Sequence, residues 1–273
     1  RLVSDWSSDV CSSDLVQVVG MGMEIGALGP AARAALDQAE LVIGASAHLA
    51  AFPELTAEKR PYPSPMSGLW DLLQANAGRR IALLASGDPL FFGISQTLLR
   101  HLPPEHLVFH PNVSSIQAAF ARLGRPWPSA QFVSLHGRPL AGLRAVLGSH
   151  RLYALLTDRD SSPPAIARLL IETGFGESDL WVAEELGAAN ERFRHFRAAD
   201  LVNTDPEFYP LNVVILETRG PGGALPEFPG IPDSWFSTGA EPGKGLLSKR
   251  EVRLTILSLL APRAGEIGWD VGA

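Results

Sequence analysis

A short apolar run that ends in Gly87, Asp88 and Pro89 is the stretch of this 273-residue chain whose residue types could support ligand chemistry. Residues 81–85 are all apolar, which is typical of a strand buried on both faces. Gly87 permits close backbone approach, and Asp88 supplies a carboxylate where the strand ends. Pro89 fixes φ before a helical pattern over 93–102. Ligands of open α/β sheets bind beyond the carboxyl ends of the strands, so the triplet indicates a ligand site. An ordinary turn, with Asp88 capping the following helix, is the alternative.

A second candidate is the glycine-rich turn after the first clear strand pattern, residues 16–19. Gly20, Gly22 and Gly26 follow this strand. A helical pattern then begins at Pro30, and a strand, a glycine turn and a helix together present backbone amides to a ligand. The spacing differs from the dinucleotide-binding Gly-x-Gly-x-x-Gly, and no acidic residue ends a second strand about 20 residues on, which disfavours NAD. A tight strand-to-helix turn without a ligand is the plainer alternative.

Two serines follow another short strand pattern, residues 107–109. Ser114 and Ser115 precede a helical pattern over 116–123, so either could cap that helix, contact a ligand, or do both. The sequence shows no catalytic triad, and no His/Cys cluster has metal-ligand spacing. We therefore assign no metal ligand and no catalytic side chain.

Composition is typical of a globular protein and disfavours several partners. The chain is 46% apolar and 19% charged with a net charge of −6, which provides no general basic field for nucleic acid or anionic lipid. No apolar run approaches the roughly 20 residues that span a membrane. The single cysteine, Cys11, excludes an internal disulfide framework and is compatible with a reducing cytoplasm. We expect a cytoplasmic protein with a small-molecule partner and no nucleic-acid or membrane partner.

Short strand patterns alternate with helical patterns, which predicts an α/β fold with right-handed crossovers and at least partly parallel sheets. A connector at 124–128 separates two halves. The first half adds a strand at 41–43 and helices at 31–39 and 67–76. The second half has strands at 131–134, 152–156, 180–183, 191–196 and 211–216, and helices at 140–147 and 164–173. Because arginines and a histidine surround Phe193 and Phe196, residues 191–196 are predicted to form an exposed edge strand or an oligomer contact.

The two ends of the chain have a different character. Residues 1–15 contain a near-repeat and look like translated adapter sequence, so we interpret them as non-native. Residues 219–245 are rich in glycine and proline, which predicts a linker. Residues 249–260 predict a helix, and residues 266–273 look like a strand entering a glycine loop. We therefore expect α/β subdomains at 16–125 and 126–218, the linker, and the truncated start of a further domain at 246–273.

Four motifs occur in the order found in the tetrapyrrole (corrin/porphyrin) methyltransferase family. They are residues 19–22 (Val-Gly-Met-Gly), 86–93 (Ser-Gly-Asp-Pro-Leu-Phe-Phe-Gly), 111–115 (Pro-Asn-Val-Ser-Ser) and 210–214 (Pro-Leu-Asn-Val-Val). Residues 134–138 (Ser-Leu-His-Gly-Arg) are similar to the family's precorrin-6Y C(5,15)-methyltransferase (decarboxylating) branch, which often carries a second methyltransferase domain. Segments 248–253 and 269–273 resemble the start of that domain. Met23 and Glu24 depart from the Gly-Pro-Gly turn of much of the family.

The resemblance implies two α/β subdomains with S-adenosylmethionine held in the cleft between them. It implies C-methylation of a precorrin, at ring carbon 5, on the path to cobalamin, with decarboxylation and carbon 15 left to a Rossmann-like domain of which only the start is present. A homodimer fits the family. A methyltransferase of the same fold acting on RNA or protein, and a non-catalytic nucleotide-binding module, are the alternatives.

The family's pattern also implies which residues form the site. Its cofactor contacts would be Gly20, Gly22, Gly87, Asp88, Phe91, Ser114, Ser115, Thr157, Leu211, Asn212 and Val213. Because a tetrapyrrole carries many carboxylates, its cleft needs donors, and the candidates are His136, Arg138 and Arg159. A solvated surface charge is the alternative for each arginine, and a general base is a lesser one for His136. Methyl transfer from a sulfonium to an electron-rich carbon needs in-line positioning more than a strong base.

Overall fold

The computed structural model describes residues 15–24, 26–204, 206–220, 222 and 248–261. The adapter-like residues 1–14, most of the predicted linker, and the predicted strand and glycine loop at 266–273 lie outside the described residues. The described chain forms two five-stranded sheets covered by helices, and a C-terminal helix. The predicted α/β class is therefore confirmed.

The first sheet is entirely parallel, with strand order β3-β2-β4-β1-β5. Its strands are β1 (Val16–Gly20), β2 (Leu41–Gly44), β3 (Glu58–Pro61), β4 (Ile81–Ala85) and β5 (Leu107–His110). β2 and β4 are buried along their whole length, as expected for aliphatic strands covered on both faces. Since all five strands run the same way, their carboxyl ends meet at one edge of the sheet.

Four helices cover the two faces of this sheet: α1 (Pro30–Asp37), α2 (Ser46–Ala50), α3 (Gly68–Gln74) and α4 (Ser95–Leu98). Alternation along the strands directs successive side chains to opposite faces. Leu84 packs in one core cluster with Leu36 of α1, and its neighbour Leu83 packs in another with Leu73 of α3.

Helix α5 (Ser115–Leu123) follows β5 but packs against the second sheet. Ile116 and Phe120 are buried in one cluster with Ala154, Val213 and Ile215 of that sheet. The two halves of the chain therefore share a hydrophobic core through α5.

The second sheet is mixed, with strand order β6-β7-β10-β8-β9. Its strands are β6 (Ala130–Ser134), β7 (Leu152–Leu156), β8 (Asp179–Glu184), β9 (Arg192–Arg197) and β10 (Asn212–Glu217). Only β6 and β7 pair in parallel, which confirms the prediction of partly parallel sheets. Because β10 runs against both of its neighbours, its first residue lies beside the carboxyl ends of β7 and β8.

Helices α6 (Ala141–Arg144), α7 (Pro163–Glu172) and α8 (Ala198–Thr204) cover the face of this sheet opposite α5. β9 lies at the edge of the sheet, as predicted. The predicted C-terminal helix is present as α9 (Arg250–Leu260), and none of its residues is buried. None of the described helices has both the length and the apolar character needed to cross a membrane.

Some predicted elements differ from the structure. The helix predicted over 93–102 is only α4: Phe92 has a left-handed φ of 53° three residues before it, and the chain after Leu98 continues as turns up to Pro103. The helix predicted over 140–147 is only α6. Sequence reasoning missed α2, α8 and β3. β3 was missed because its residues, Glu-Lys-Arg-Pro, carry no apolar pattern.

A partly buried ion pair ties β8 and β9 to the segment before β10. Glu184, the last residue of β8, is fully buried, and its Oε1 accepts a hydrogen bond from Arg194 Nε at 2.9 Å. Its Oε2 accepts one from the backbone N–H of Tyr209 at 2.8 Å. The Arg194 guanidinium also lies 4.4 Å from the ring centroid of Phe208 and donates to the carbonyl of Glu207. One carboxylate therefore fixes the approach of the chain to β10.

Replacing Ile116 by alanine should lower the free energy of unfolding by about 2–5 kcal/mol, because it opens a cavity in the core that α5 shares with the second sheet. The matched control is Ile171→Ala in α7, where the side chain is 43% exposed rather than 1% exposed. That change should cost no more than about 0.5 kcal/mol. Urea denaturation followed by circular dichroism measures both, and equal losses would contradict the shared core.

Replacing Arg194 by alanine should lower the free energy of unfolding by about 3–5 kcal/mol, because the buried Glu184 would lose its counter-charge. Arg197→Ala on the same strand is the control, since its ion pair with Glu177 is exposed on both sides. Loss of that pair should cost about 0–1 kcal/mol. The same denaturation experiment compares the two variants, and a small effect of Arg194→Ala would show that the pair is dispensable.

Candidate functional site

Three loops leave the carboxyl edge of the first sheet side by side, because β1 lies between β4 and β5. They are the glycine turn after β1, residues 86–94 after β4, and residues 111–114 after β5. Met21 N donates to Ala85 O at 2.8 Å, and Gly22 N donates to Gly87 O at 3.2 Å. The three ligand motifs predicted in the first half are thus brought together.

Asp88 and Asn112 join the third loop to the other two. Asn112 Nδ2 donates to Gly20 O at 3.0 Å, and the backbone N–H of Asn112 donates to Asp88 Oδ2 at 3.3 Å. Asp88 Oδ1 accepts from the N–H of Leu90 at 2.9 Å. The alternative in which Asp88 caps the next helix is wrong, because α4 begins later with Ile94 as its N-cap. Each carboxylate oxygen can accept a further hydrogen bond, so Asp88 keeps acceptor capacity for a ligand.

Close packing of these loops explains why glycine occupies positions 20 and 22. A Cβ at Gly20 would lie 2.7 Å from Gly87 O and 2.9 Å from Pro89 Cδ. Gly22 has a φ of +64°, and a Cβ there would lie 2.6 Å from Asn112 Oδ1. Both glycines are therefore required by contacts within the protein, and their contact with a cofactor stays a prediction.

The two serines have different roles at the start of α5. Ser114 is buried and forms a capping box: its hydroxyl accepts from Gln117 N at 3.2 Å, and its own N–H donates to Gln117 Oε1 at 2.8 Å. In the part of the chain that the structure describes, the Ser115 hydroxyl makes no hydrogen bond to protein. Capping thus accounts for Ser114, whereas Ser115 has a hydroxyl available to a ligand.

Thr157 and the start of β10 meet at the carboxyl edge of the second sheet. Thr157 Oγ1 lies 2.7 Å from both the carbonyl and the side-chain oxygen of Asn212. Asn212 Nδ2 donates to Tyr209 O at 2.8 Å. The Leu211 side chain is 67% exposed, whereas that of Val213 is buried in the core. Only the backbone of Val213 can therefore face a ligand, while Leu211 presents an apolar side chain.

The segment that carries Leu211 is held from β8. Glu184 binds the N–H of Tyr209, and the next residue, Glu185, donates its N–H to Leu211 O at 3.0 Å. Sequence reasoning missed Glu184 and Arg194 as positioning residues. The feature that could have revealed them is a pair of opposite charges on adjacent strands of a hairpin.

Phe91 links the loop after β4 to the second half of the chain. Its ring meets that of Phe132 on β6 edge to face, with centroids 5.3 Å apart, and also contacts Phe92 at 4.9 Å. Ile116, the residue after Ser115, shares a buried cluster with Val213. The predicted cofactor residues of the two halves are therefore connected by an aromatic contact and by α5.

The three candidate substrate donors are exposed and lie on two neighbouring loops. His136 and Arg138 follow β6, and Arg159 follows β7, whose end lies beside that of β6. Among the described residues, the Arg138 side chain makes only a long contact, 3.5 Å from its Nη1 to Ser134 O. Neither Arg138 nor Arg159 forms an ion pair with a carboxylate among the described residues.

Two titratable groups, one at the carboxyl edge of each sheet, have pKa values shifted by their surroundings. Hydrogen bonds from backbone N–H groups, chiefly that of Ser161, lower the pKa of Asp158, so it is ionised at neutral pH. Burial lowers the pKa of His110, which ends β5, so its imidazole is neutral there. Within the described ranges, no cluster of three or more His, Cys, Asp or Glu side chains is arranged to hold a metal ion.

The proteins to which this chain is similar in sequence are all named as methylases of tetrapyrroles or precorrins. The sequence profile of the family Tetrapyrrole (Corrin/Porphyrin) Methylases matches residues 16–202. A precorrin-6Y C(5,15)-methyltransferase [decarboxylating] of a Sinorhizobium species is 37% identical over 264 residues, which are 95% of this chain and 62% of the relative. The chain thus spans about three fifths of that relative. A cobalt-precorrin-7 C(5)-methyltransferase of Salmonella typhimurium is 35% identical over 207 residues, 75% of this chain and 100% of the relative.

Solved structures share the fold at lower identity. A precorrin-6Y methylase from Archaeoglobus fulgidus has a TM-score of 0.55 at 19% identity and covers 76% of this chain and 98% of its own. A uroporphyrin-III C-methyltransferase from Thermus thermophilus, complexed with S-adenosylhomocysteine, has a TM-score of 0.56 at 22% identity, covering 74% of this chain and 92% of its own. By its profile match, its relatives and its fold, the chain belongs to the tetrapyrrole (corrin/porphyrin) methylase family.

Proposed function

We propose that this chain binds S-adenosylmethionine between its two sheets and methylates a corrin precursor at ring carbon 5 in cobalamin biosynthesis. The observation that carries the proposal is the single cluster of three hydrogen-bonded loops around Asp88, at the sheet edge where α/β proteins bind ligands. Carbon 5 is favoured because the chain spans the full length of a relative named for C(5)-methylation alone. Decarboxylation and methylation at carbon 15 belong, on this proposal, to a further domain like that of the longer relatives. The reaction is assigned to the cytoplasm.

The residues at both sheet edges fit an adenosyl sulfonium. Asp88 retains acceptor capacity and a negative charge that favours a nearby cation. Ser115 has a hydroxyl with no described protein partner, and Leu211 exposes an apolar side chain against which an aromatic base can pack. By contrast, the hydroxyls of Ser114 and Thr157 already bind protein groups. These two residues would act mainly by shaping the pocket.

For this reaction the protein has to bind and orient the cofactor and the substrate, and it does not have to supply a nucleophile. When bound, S-adenosylmethionine supplies a methyl group on a positively charged sulfur. The loops around Asp88 and the start of β10 would hold the cofactor, and His136, Arg138 and Arg159 would bind substrate carboxylates. Fixing both partners in line lowers the barrier without a strong protein base.

The first test is calorimetric titration of the full chain with S-adenosylhomocysteine. We expect micromolar binding, and Asp88→Ala should weaken it about tenfold, because one charge-assisted contact and the link between two loops are lost. Methyl transfer to cobalt-precorrin-7 is then assayed with the wild type. A folded wild type that binds no S-adenosylhomocysteine would refute the proposal.

The adjacent serines provide a matched pair that separates folding from binding. Ser114→Ala should lower the free energy of unfolding by about 1 kcal/mol, because it removes the helix cap. Ser115→Ala should leave stability unchanged and weaken S-adenosylhomocysteine binding. Denaturation and calorimetry on both variants test this division. Unchanged affinity in Ser115→Ala would remove that residue from the pocket.

A further inference from the structure

We propose that Asp158 is a positioning residue: it holds the turn that carries His136 and Arg138 against the loop that carries Arg159, so that these three donors face the substrate carboxylates together. This inference rests on the proposed function, since it assigns a role to the same cleft. Asp158 does not need to touch the substrate to act in this way.

The carboxylate of Asp158 accepts three backbone hydrogen bonds from two loops. Its Oδ2 accepts from the N–H of Gly137 at 2.7 Å. Its Oδ1 accepts from the N–H groups of Ser161 at 2.7 Å and Asp160 at 3.0 Å. One oxygen therefore shapes the loop that contains Asp158 itself, and the other binds the neighbouring turn.

The bound turn is a tight one whose geometry requires glycine. Arg138 N donates to Leu135 O at 3.0 Å, and Gly137 has a φ of +66°. Leu135 is 2% exposed, and its N–H donates to Leu156 O at 2.8 Å, which anchors the start of the turn on β7. The hydrogen bond to Asp158 is a second anchor at the tip. His136 and Arg138 flank the anchored residue, so their backbone positions are fixed.

The charges of this region suit a polycarboxylate. No described carboxylate forms an ion pair with Arg138 or Arg159, and the oxygens of Asp158 are directed at backbone N–H groups. Asp158 thus orders the two loops without forming an ion pair with Arg138 or Arg159 among the described residues. Ordering the loops before binding removes part of the entropy cost of forming several charged contacts with one ligand.

Asp158→Asn in the full chain tests this role. The amide oxygen can keep the bonds from Asp160 and Ser161, but the amide nitrogen then faces the N–H of Gly137, so the link between the loops is lost. We expect the KM for cobalt-precorrin-7 to rise about tenfold, with kcat and the Kd for S-adenosylhomocysteine changed less than about twofold. The matched control is Asp160→Asn, which removes the same charge from the same loop, and its KM should stay near that of the wild type.

The outcomes separate the inference from the proposed function. A wild type that neither binds S-adenosylhomocysteine nor methylates a precursor overturns the proposed function and this inference with it. An active wild type whose KM is unchanged in Asp158→Asn, or changes equally in Asp160→Asn, overturns the positioning role alone. A parallel rise in the S-adenosylhomocysteine Kd also overturns it, because it indicates general damage. Should Asp158→Asn fail to fold, Asp158→Ser takes its place, because a serine side chain is too short to reach the N–H of Gly137. An unchanged KM then overturns the positioning role, and a raised KM with an unchanged Kd for S-adenosylhomocysteine supports it.

Discussion

A side-chain carboxylate that accepts backbone N–H groups is the interaction on which the carboxyl edges of both sheets depend. Asp88 joins the loops after β4 and β5, Asp158 joins those after β6 and β7, and Glu184 fixes the approach to β10. A loop leaving a sheet carries N–H groups that the strands no longer satisfy, and an unsatisfied buried donor costs about 1–3 kcal/mol. Because a carboxylate has two oxygens with several lone pairs, it can satisfy donors from more than one loop at once. The loops thereby acquire a defined shape before any ligand is present.

Hydrogen bonds within the protein reduce the number of polar side chains that are available to a ligand. Thr157 and Ser114 resemble ligand contacts when they are considered one by one, yet each already binds a protein group. The groups left over are backbone amides, Ser115, Leu211, the remaining acceptor capacity of Asp88, and two arginines, Arg138 and Arg159, that form no ion pair among the described residues. On the proposed function, such a site recognises its ligand through the placement of loops, so the residues that hold the loops matter as much as those that touch the ligand. The same hydrogen bonds then contribute both to the stability of the fold and to the shape of the site.

Much of the fold could be predicted from the sequence, because β4 and its neighbours in the sheet, β1 and β2, are mostly aliphatic and have a glycine at their end or within two residues of it. The edge position of β9 could also be predicted, because a strand that carries this many charged side chains is more easily accommodated at the edge of a sheet than at its centre. β3 could not be predicted, since it is held by backbone bonds to β2 and carries no apolar pattern. For the site, the motifs marked the correct loops but not the hydrogen bonds within them. Asp88 bonds to a residue 24 positions away, and Thr157 bonds to one 55 positions away. Such partners depend on strand order, which local patterns do not encode.

The two halves of the chain are held together mainly by burial rather than by charge. Ile116 and Phe120 of α5 lie in the core of the second sheet, while the residue that caps α5 belongs to a loop of the first. Separating the halves would expose these side chains, at about 25 cal/mol for each Å² of apolar surface. The ion pair of Arg122 with Glu191 also joins the halves, but Arg122 is half exposed, and pairs of that kind contribute little. Met23 and Phe91, from loops of the first sheet, also pack against this cluster and oppose hinge opening. We therefore expect the proposed ligand site to adapt to its ligands through its loops.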